Sequence, residues 1–194
     1  MRFRAIHQVL PNLTAEDAIG EYALLLQRIW QGWGVESRLY VERTNIPSSV
    51  ALPLGRLPSR FSSEEVLVYH HSIGSQAAAR FAEIDGPVRV VAYRNITPPH
   101  LLSSAPFIAA RASQGLAQLS ALARVSHMGI ADSAFNRRDL VQAGFRRTAT
   151  VHLALAPERR QGLEAISCRP RPAAPGSPPA FLHVGRLLPH KALE

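Results

Sequence analysis

The stretch Val66-Leu67-Val68-Tyr69 is a continuous apolar run, and the polar residues His70-His71-Ser72 follow it directly. An apolar run without alternation is typical of a strand that is buried on both faces of a parallel sheet. A second run of this kind, Val88 to Tyr93, comes after a segment that resembles a short helix, Ser75 to Glu83. Two buried strands with a helix between them predict a βαβ unit and therefore an α/β sheet.

Strand and helix patterns alternate along the rest of the chain as well. Further strands are predicted at residues 6–10, 37–41, 127–131 and 150–155, and further helices after residue 14 and at residues 106–123 and 133–144. Residues 43–63 are rich in proline and serine and predict a long loop. This order of elements predicts a doubly wound, mostly parallel, Rossmann-like sheet with helices on both faces.

The first helix is predicted from its two ends and its apolar face. Thr14, with a carboxylate three residues later at Asp17, resembles a capping box. Gly34 has the usual position of a glycine that ends a helix. Between these ends, apolar residues recur every three or four positions, as they do on one face of a helix: Ile19, Tyr22, Leu26, Ile29 and Trp33.

Composition divides the chain into three parts. Residues 1–156 are predicted to form one α/β domain, and residues 157–179, with six prolines, to form a linker. Residues 180–194 are predicted to hold the first strand and turn of a second domain that is truncated. The one cysteine excludes an internal disulfide, and the sequence shows neither a signal peptide nor an apolar run of about 18 residues, so a cytoplasmic protein is expected.

The chain is strongly basic, with a formal net charge of +8. Such a charge attracts nucleic acid, anionic membrane surfaces or anionic small molecules. The twenty-one arginines are scattered rather than interleaved with aromatic residues, so we expect no nucleic-acid partner, whereas peripheral contact with an anionic membrane stays open. The single lysine, Lys191, follows Gly185-Arg186 after a short apolar run, and this spacing could hold a diphosphate.

Ligands of doubly wound sheets bind outside the carboxyl ends of the strands. Polar or small residues follow four of the predicted strands and are the candidates for a site: Asp17, Gly20, His70, Ser72, Asn95, Thr97 and Ser133. Structural roles remain open for several of them: helix capping, an Asx turn, or a buried histidine. The sequence contains no metal-ligand cluster and no glycine-rich dinucleotide fingerprint, so no metal and no cofactor are expected.

Five segments, in chain order, resemble bacterial family 4 glycosyltransferases. They are Asp17-Ala18-Ile19-Gly20, Tyr69-His70-His71-Ser72-Ile73-Gly74-Ser75, Tyr93-Arg94-Asn95-Ile96-Thr97-Pro98, Ala131-Asp132-Ser133, and Val184-Gly185-Arg186-Leu187 with Lys191. The family has the GT-B fold, in which two Rossmann-like domains face each other across a cleft. The N-terminal domain mostly binds the acceptor, and the C-terminal domain binds a nucleotide-diphosphate sugar whose sugar is transferred with retention, usually without a metal.

The resemblance implies a role for each matching residue. Arg186, Lys191 and Gly20 would bind the donor diphosphate, His70 would lie near the reacting sugar, and the acceptor side would be lined by Asp17, Ser72, Asn95, Thr97 and Ser133. The chain departs from the family pattern at Arg94, where a histidine is expected, and in lacking most of the nucleotide domain.

The expected function is therefore that of a truncated retaining glycosyltransferase of polysaccharide biosynthesis, inactive on its own. Its substrates would be a nucleotide sugar and a glycan or lipid-linked acceptor, and it would act in the cytoplasm or at the inner face of the membrane. A non-catalytic sugar- or anion-binding α/β module is the alternative.

Overall fold

The computed structural model of the chain describes residues 3–14 and 17–165. The chain divides into two compact units, Met1–Ala154 and Leu155–Glu194. In the second unit, the described residues contain one helix, Pro157–Ala165, so the segment predicted to be a linker begins as a helix. The predicted strand at residues 180–194, with Arg186 and Lys191, lies outside the described residues.

Seven parallel strands form a single sheet in the first unit. They are β1 (Ala5–Leu13), β2 (Leu39–Thr44), β3 (Leu52–Pro53), β4 (Glu65–His71), β5 (Val88–Tyr93), β6 (Met128–Ala131) and β7 (Thr148–Thr150). Their order in the sheet is β3-β2-β1-β4-β5-β6-β7, so the direction of winding reverses between β1 and β4. The predicted doubly wound, Rossmann-like α/β fold is confirmed.

The prediction of a strand at residues 150–155 is wrong, because β7 ends at Thr150 and the next five residues have no regular structure. Three apolar residues alternate along this segment, namely Val151, Leu153 and Leu155, and all three are largely exposed. Their period of two resembles that of a strand, but the pairing with β6 ends at once: the N–H of Val151 donates to the carbonyl of Ala131 (2.8 Å), and among the described residues no ladder continues beyond it.

Four helices connect the strands: α1 (Ala18–Gly32), α2 (Gln76–Glu83), α3 (Pro106–Val125) and α4 (Ala134–Gln142). Asp17, Ser75 and Ser133 are the N-caps of α1, α2 and α4, and each side chain accepts a hydrogen bond from the backbone three residues on. The predicted cap at Thr14 is therefore wrong, since Asp17 takes that role. Gly34, with a φ of 75°, ends α1 as predicted.

Both faces of the sheet carry an apolar core. On one face, α2, α3 and α4 pack over the alternate strand residues that include Leu67, Tyr69 and Val91. On the other face, α1 packs over β1 and β2 through Ala23, and its Trp30 contacts a smaller cluster on β4 and β5. Among the described residues, no helix is both long and apolar enough to span a bilayer.

The face of α1 that packs on the sheet differs from the predicted one. Its buried residues are Gly20, Ala23 and Leu25, whereas Trp33 of the predicted face is 65% exposed. A Cβ on Gly20 would lie 2.6 Å from the Cδ1 atom of Leu13 on β1, so a larger residue would have to displace the Leu13 side chain. Small residues contribute little to an apolar pattern, and for this reason the sequence indicated the wrong face.

Candidate functional site

A cavity of about 250 Å³ opens at the carboxyl ends of β1 and β4. This is the point where the winding of the sheet reverses and where ligands of doubly wound sheets bind. Two of the predicted site residues, Asp17 and Ser72, lie in its wall. Among the described residues, the lining consists of Pro11, Asn12, Thr14, Asp17, Ile19 and Ser72.

Asp17 has a structural role and also faces the cavity. Its Oδ2 atom accepts a hydrogen bond of 3.0 Å from the backbone N–H of Gly20, and this bond caps α1. A carboxylate has two oxygens, so the capping bond leaves one oxygen that a ligand hydroxyl in the cavity could use. Gly20 is buried against Leu13 and its N–H is already bonded, so the structure gives it a packing role rather than an open anion-binding position.

His70 lies at the end of β4 with its ring completely buried. Gln8 donates through Nε2 to the carbonyl of Ala23 (2.9 Å) and contacts Nε2 of His70 with its Oε1 atom (2.8 Å). Because a side-chain amide oxygen can only accept, His70 donates through Nε2 and its Nδ1 atom carries the lone pair. Burial, with a smaller effect of the nearby Arg94 charge, lowers the pKa of His70 to about 3, so the ring is neutral.

The resemblance implies that His70 lies near the reacting sugar, but its ring is completely buried. The ring has no exposed surface in the first unit, so it supports the site from within the fold instead of presenting itself to the cavity. Its Nδ1 atom is buried without a hydrogen-bond partner among the described residues.

His71 points to the opposite face of the sheet, as expected if β4 continues through both histidines. Its Nε2 atom donates to the carbonyl of Gly115 on α3 (2.8 Å), and its Nδ1 atom accepts from the hydroxyl of Tyr69 (3.3 Å). The Tyr69 hydroxyl also lies 2.8 Å from that of Ser75, the N-cap of α2. Burial lowers the pKa of His71 to about 4, so this network is built on a neutral imidazole. It joins β4, α2 and α3 and makes His71 structural.

The loop between β4 and α2 is held by α3. Arg111 donates through Nε and one Nη to the carbonyl of Gly74 (3.0 and 2.8 Å). Gln118 bonds to both the N–H and the carbonyl of Ser75. A Cβ on Gly74 would lie 2.5 Å from the carbonyl oxygen of Arg111, so the loop and the helix are in backbone contact. These bonds fix the position of Ser72 in the cavity wall. No pattern in the sequence indicated Arg111 or Gln118, since neither adjoins a strand end.

Arg94 lies directly after β5 and is only 7% exposed. Its backbone N–H donates to the carbonyl of His71 (2.8 Å), which continues the sheet pairing past the end of β5. The guanidinium carbon of Arg94 lies 4.6 Å from the centre of the Tyr22 ring. One of its Nη atoms lies 4.0 Å from the carboxylate oxygen Oδ2 of Asp132. Burial lowers the pKa of Arg94, and Tyr22 and Asp132 oppose this effect.

The remaining predicted residues lie at the same edge of the sheet but outside the cavity lining. Asn95 is exposed and Thr97 is half-buried, both in the segment after β5. Ser133, after β6, accepts a hydrogen bond from the N–H of Asn136 (3.1 Å) and caps α4. The structure therefore brings together Asp17 and Ser72, and leaves the other acceptor-side candidates on neighbouring strand ends.

In the described ranges, no group of three or more histidine, cysteine, aspartate or glutamate side chains could hold a metal ion. No protein-family model matches the chain, and no curated protein matches it. The site is therefore interpreted from its own geometry.

Proposed function

We propose that the unit Met1–Ala154 is the acceptor-binding domain of a retaining glycosyltransferase that uses a nucleotide-diphosphate sugar. The observation that carries this proposal is the cavity at the switch point of the sheet, between β1 and β4. Its volume of about 250 Å³ is close to the lower limit of small-molecule sites, which suits a single sugar ring. The wall offers a carboxylate, two hydroxyls and an amide, and these groups can pair with sugar hydroxyls that both donate and accept.

The donor side of the reaction rests on the resemblance alone. Arg186 and Lys191 are proposed to bind the diphosphate and to stabilise the negative charge that builds on the leaving nucleotide. A reaction between two bound substrates requires both to be held in reactive geometry. We therefore expect the 194-residue chain to bind an acceptor glycan and to show no useful turnover of a nucleotide sugar.

The binding step can be measured by ligand-observed NMR with a panel of mono- and oligosaccharides. Asp17→Asn keeps the capping oxygen, since asparagine caps helices about as well as aspartate, but it removes the charge. We expect this variant and Ser72→Ala to bind the preferred glycan about tenfold more weakly. The matched control is Asp85→Asn, which removes an exposed carboxylate that pairs with Arg60.

Two results would contradict the proposal. One is the absence of binding to any glycan in the panel, and the other is equal weakening by Asp17→Asn and Asp85→Asn. Turnover of a UDP- or GDP-sugar by the 194-residue chain at ordinary enzyme rates would contradict the division of roles between the two domains.

A non-catalytic sugar- or anion-binding module is the second candidate, and the buried cation Arg94 favours it. Such a module would use the same cavity but would have no need of a diphosphate site. Pyrophosphate binding that is lost in Lys191→Ala and kept in the control Arg60→Ala supports the glycosyltransferase. Pyrophosphate binding that is absent, or unchanged by Lys191→Ala, supports the module.

We also propose that the domain contacts an anionic membrane surface through α4. Phe135 and Val141 are exposed on this helix, and Arg137 and Arg138 are exposed beside them. The guanidinium of Arg138 lies 4.8 Å from the centre of the Phe135 ring. Apolar and basic side chains on one exposed helix surface suit the boundary between lipid headgroups and acyl chains.

Sedimentation with vesicles tests this contact. The chain should bind vesicles that contain phosphatidylglycerol, should release them as salt is raised, and should not bind pure phosphatidylcholine. The double variant Arg137→Gln/Arg138→Gln should bind less than Arg56→Gln/Arg60→Gln, which loses the same charge elsewhere. Equal binding of the two double variants to the anionic vesicles would contradict the membrane contact. The absence of binding of the unmodified chain to either kind of vesicle would contradict it as well.

A further inference from the structure

We propose that Arg94 provides an anion-binding position beside the cavity, so that the sugar this domain takes carries a carboxylate or phosphate group. The sugar part of this inference rests on the proposed function, whereas the anion part rests on Arg94 and its surroundings. Arg94 stands where the family resemblance leads one to expect a histidine, so the inference concerns a feature of this chain.

The charge of Arg94 is buried, and among the described residues one carboxylate, that of Asp132, lies near it. The residue is 7% exposed, and the contact with Oδ2 of Asp132, at 4.0 Å, is too long for a hydrogen bond. The other carboxylate oxygen of Asp132 accepts from Nδ2 of Asn136, so this carboxylate is shared between two partners. A buried cation is costly unless an anion pairs with it in good geometry. A ligand oxyanion would supply what Asp132 does not.

The guanidinium also has hydrogen-bonding capacity to offer. Its Nε atom is buried and has no hydrogen-bond partner in the ranges that the structure describes. Tyr22 lies over the face of the group, 4.6 Å from ring centre to guanidinium carbon. Tyr22 also shares a hydrogen bond with the guanidinium, which leaves further N–H donors of the five, and two parallel N–H groups match the two oxygens of a carboxylate or phosphate.

A second arginine of this sheet offers a comparison, because backbone carbonyls accept hydrogen bonds from its guanidinium. Arg89, on β5, likewise has a buried Nε atom without a partner. However, one of its Nη atoms donates to the carbonyls of Ala82 and Ile84 at the carboxyl end of α2 (3.1 and 2.9 Å). Carbonyls at a helix end stabilise a cation. Arg89 is thus explained by the fold, whereas the partners of the Arg94 guanidinium among the described residues are Tyr22 and Asp132.

The surroundings of Arg94 suit a ligand with two unlike ends. Tyr22 lies on α1 one turn after Ile19, which lines the cavity, and the Arg94 N–H donates to the carbonyl of His71, the residue directly before Ser72. Asp17 in the cavity wall accepts hydroxyls and repels anions. Since His70 is neutral, Arg94 is the cation of this group. A sugar with its hydroxyls toward Asp17 and its acidic group toward Arg94 would satisfy both.

The test compares four ligands by NMR titration: glucose, glucuronate, glucose 6-phosphate and inorganic phosphate. For the unmodified chain, we expect one or both charged sugars to bind at least about tenfold more tightly than glucose. In Arg94→Gln this preference should disappear. The control is Arg146→Gln, which loses the same charge from an exposed position before β7, at the opposite edge of the sheet, and should keep the preference.

The two sugars and phosphate separate the sources of the anion. Preference for glucuronate indicates a uronic acid, and preference for glucose 6-phosphate indicates a sugar phosphate. Binding of inorganic phosphate but of no sugar, lost in Arg94→Gln, would support the anion position and contradict the glycan-binding function. Binding of glucose as tight as that of the charged sugars would leave the proposed function standing and refute this inference.

Asp132→Asn gives a second measurement in case Arg94→Gln does not fold. It removes the carboxylate that competes for Arg94, so the affinity for the preferred anion should rise several-fold while that for glucose stays the same. Unchanged or weaker anion binding in Asp132→Asn would show that Arg94 is a structural arginine, held by Tyr22 and Asp132, and would overturn the proposal.

Discussion

The two buried histidines at the end of β4 should make the stability of the domain depend on pH above the range in which carboxylates titrate. Burial lowers the pKa of His70 from 6.5 to about 3 and that of His71 from 6.5 to about 4. Between these values and 6.5, the unfolded chain binds protons that the folded chain does not. Their contribution to stability is therefore fully present at neutral pH and above, and it is lost as the pH falls below 6.5.

The expected loss of unfolding free energy depends mainly on the pKa of the histidines in the unfolded chain, 6.5. At about pH 5 the folded forms of both histidines are still neutral, so the loss is set by the unfolded pKa and amounts to about 2 kcal/mol for each histidine relative to about pH 8. The two together should lower the free energy of unfolding by about 4 kcal/mol. His7, whose pKa is also lowered by burial, adds to the loss in the same direction. A change of this size is a large part of the stability of an ordinary domain.

Urea unfolding at a series of pH values between about 8 and 5 measures this dependence. His70→Gln should be less stable at every pH, but its stability should fall by about 2 kcal/mol less over the range than that of the unmodified chain. His100→Gln, which replaces an exposed histidine, should leave the dependence unchanged. Equal pH dependence in His70→Gln and the unmodified chain would mean that the folded protein protonates His70 readily, and the account of a neutral, sealed imidazole would be refuted.

Three further substitutions test the packing around the site. Gly74→Ala should destabilise the domain by about 1–3 kcal/mol in the same urea assay, because the new Cβ would lie 2.5 Å from the Arg111 carbonyl oxygen. The control Gly32→Ala, which has open space around the new Cβ, should be neutral or slightly stabilising. Ser133→Ala should cost about 1 kcal/mol through loss of the α4 cap, and Ser133→Asp should restore most of it. Tyr69→Phe should lower the free energy of unfolding by about 1–3 kcal/mol, because it leaves the polar partners of the hydroxyl unpaired. A loss smaller than that of Ser133→Ala would show that water replaces the hydroxyl.

The strands of the sheet centre were predictable from sequence, while those at its edge were not. The strand predicted at residues 88–93 is present with the same bounds, and the run beginning at Val66 is the core of β4. Val66 to Tyr69 are buried and apolar, and every residue of β5 except Arg89 is apolar, so the pattern of both strands is clear. The edge strand β7 has three half-buried residues, Thr148, Ala149 and Thr150, and its pattern resembles that of the exposed segment that follows it.

The location of the site was predictable because it follows from topology, but its internal contacts were not. The rule for doubly wound sheets selected Asp17 and Ser72 from their place after β1 and β4. The buried ring of His70 is held by a hydrogen bond with Gln8, which is 62 residues earlier in the sequence. Similarly, the N–H of Ala77 on α2 is bonded by Glu42 from β2. Pairs so distant in sequence have no local pattern, so no periodicity or motif could have indicated them.

The difference between Arg94 and its neighbour His70 is what makes the ligand end of the sheet unusual. Both are buried, and both have a nitrogen without a partner among the described residues, Nε and Nδ1 respectively. His70 avoids the cost of burial by remaining neutral, but arginine cannot lose its proton in the same way. Arg94 therefore keeps a charge that, among the described residues, Tyr22 and Asp132 alone offset. Unsatisfied groups of this kind are typical of functional sites, so the proposed anion position is Arg94 and not His70.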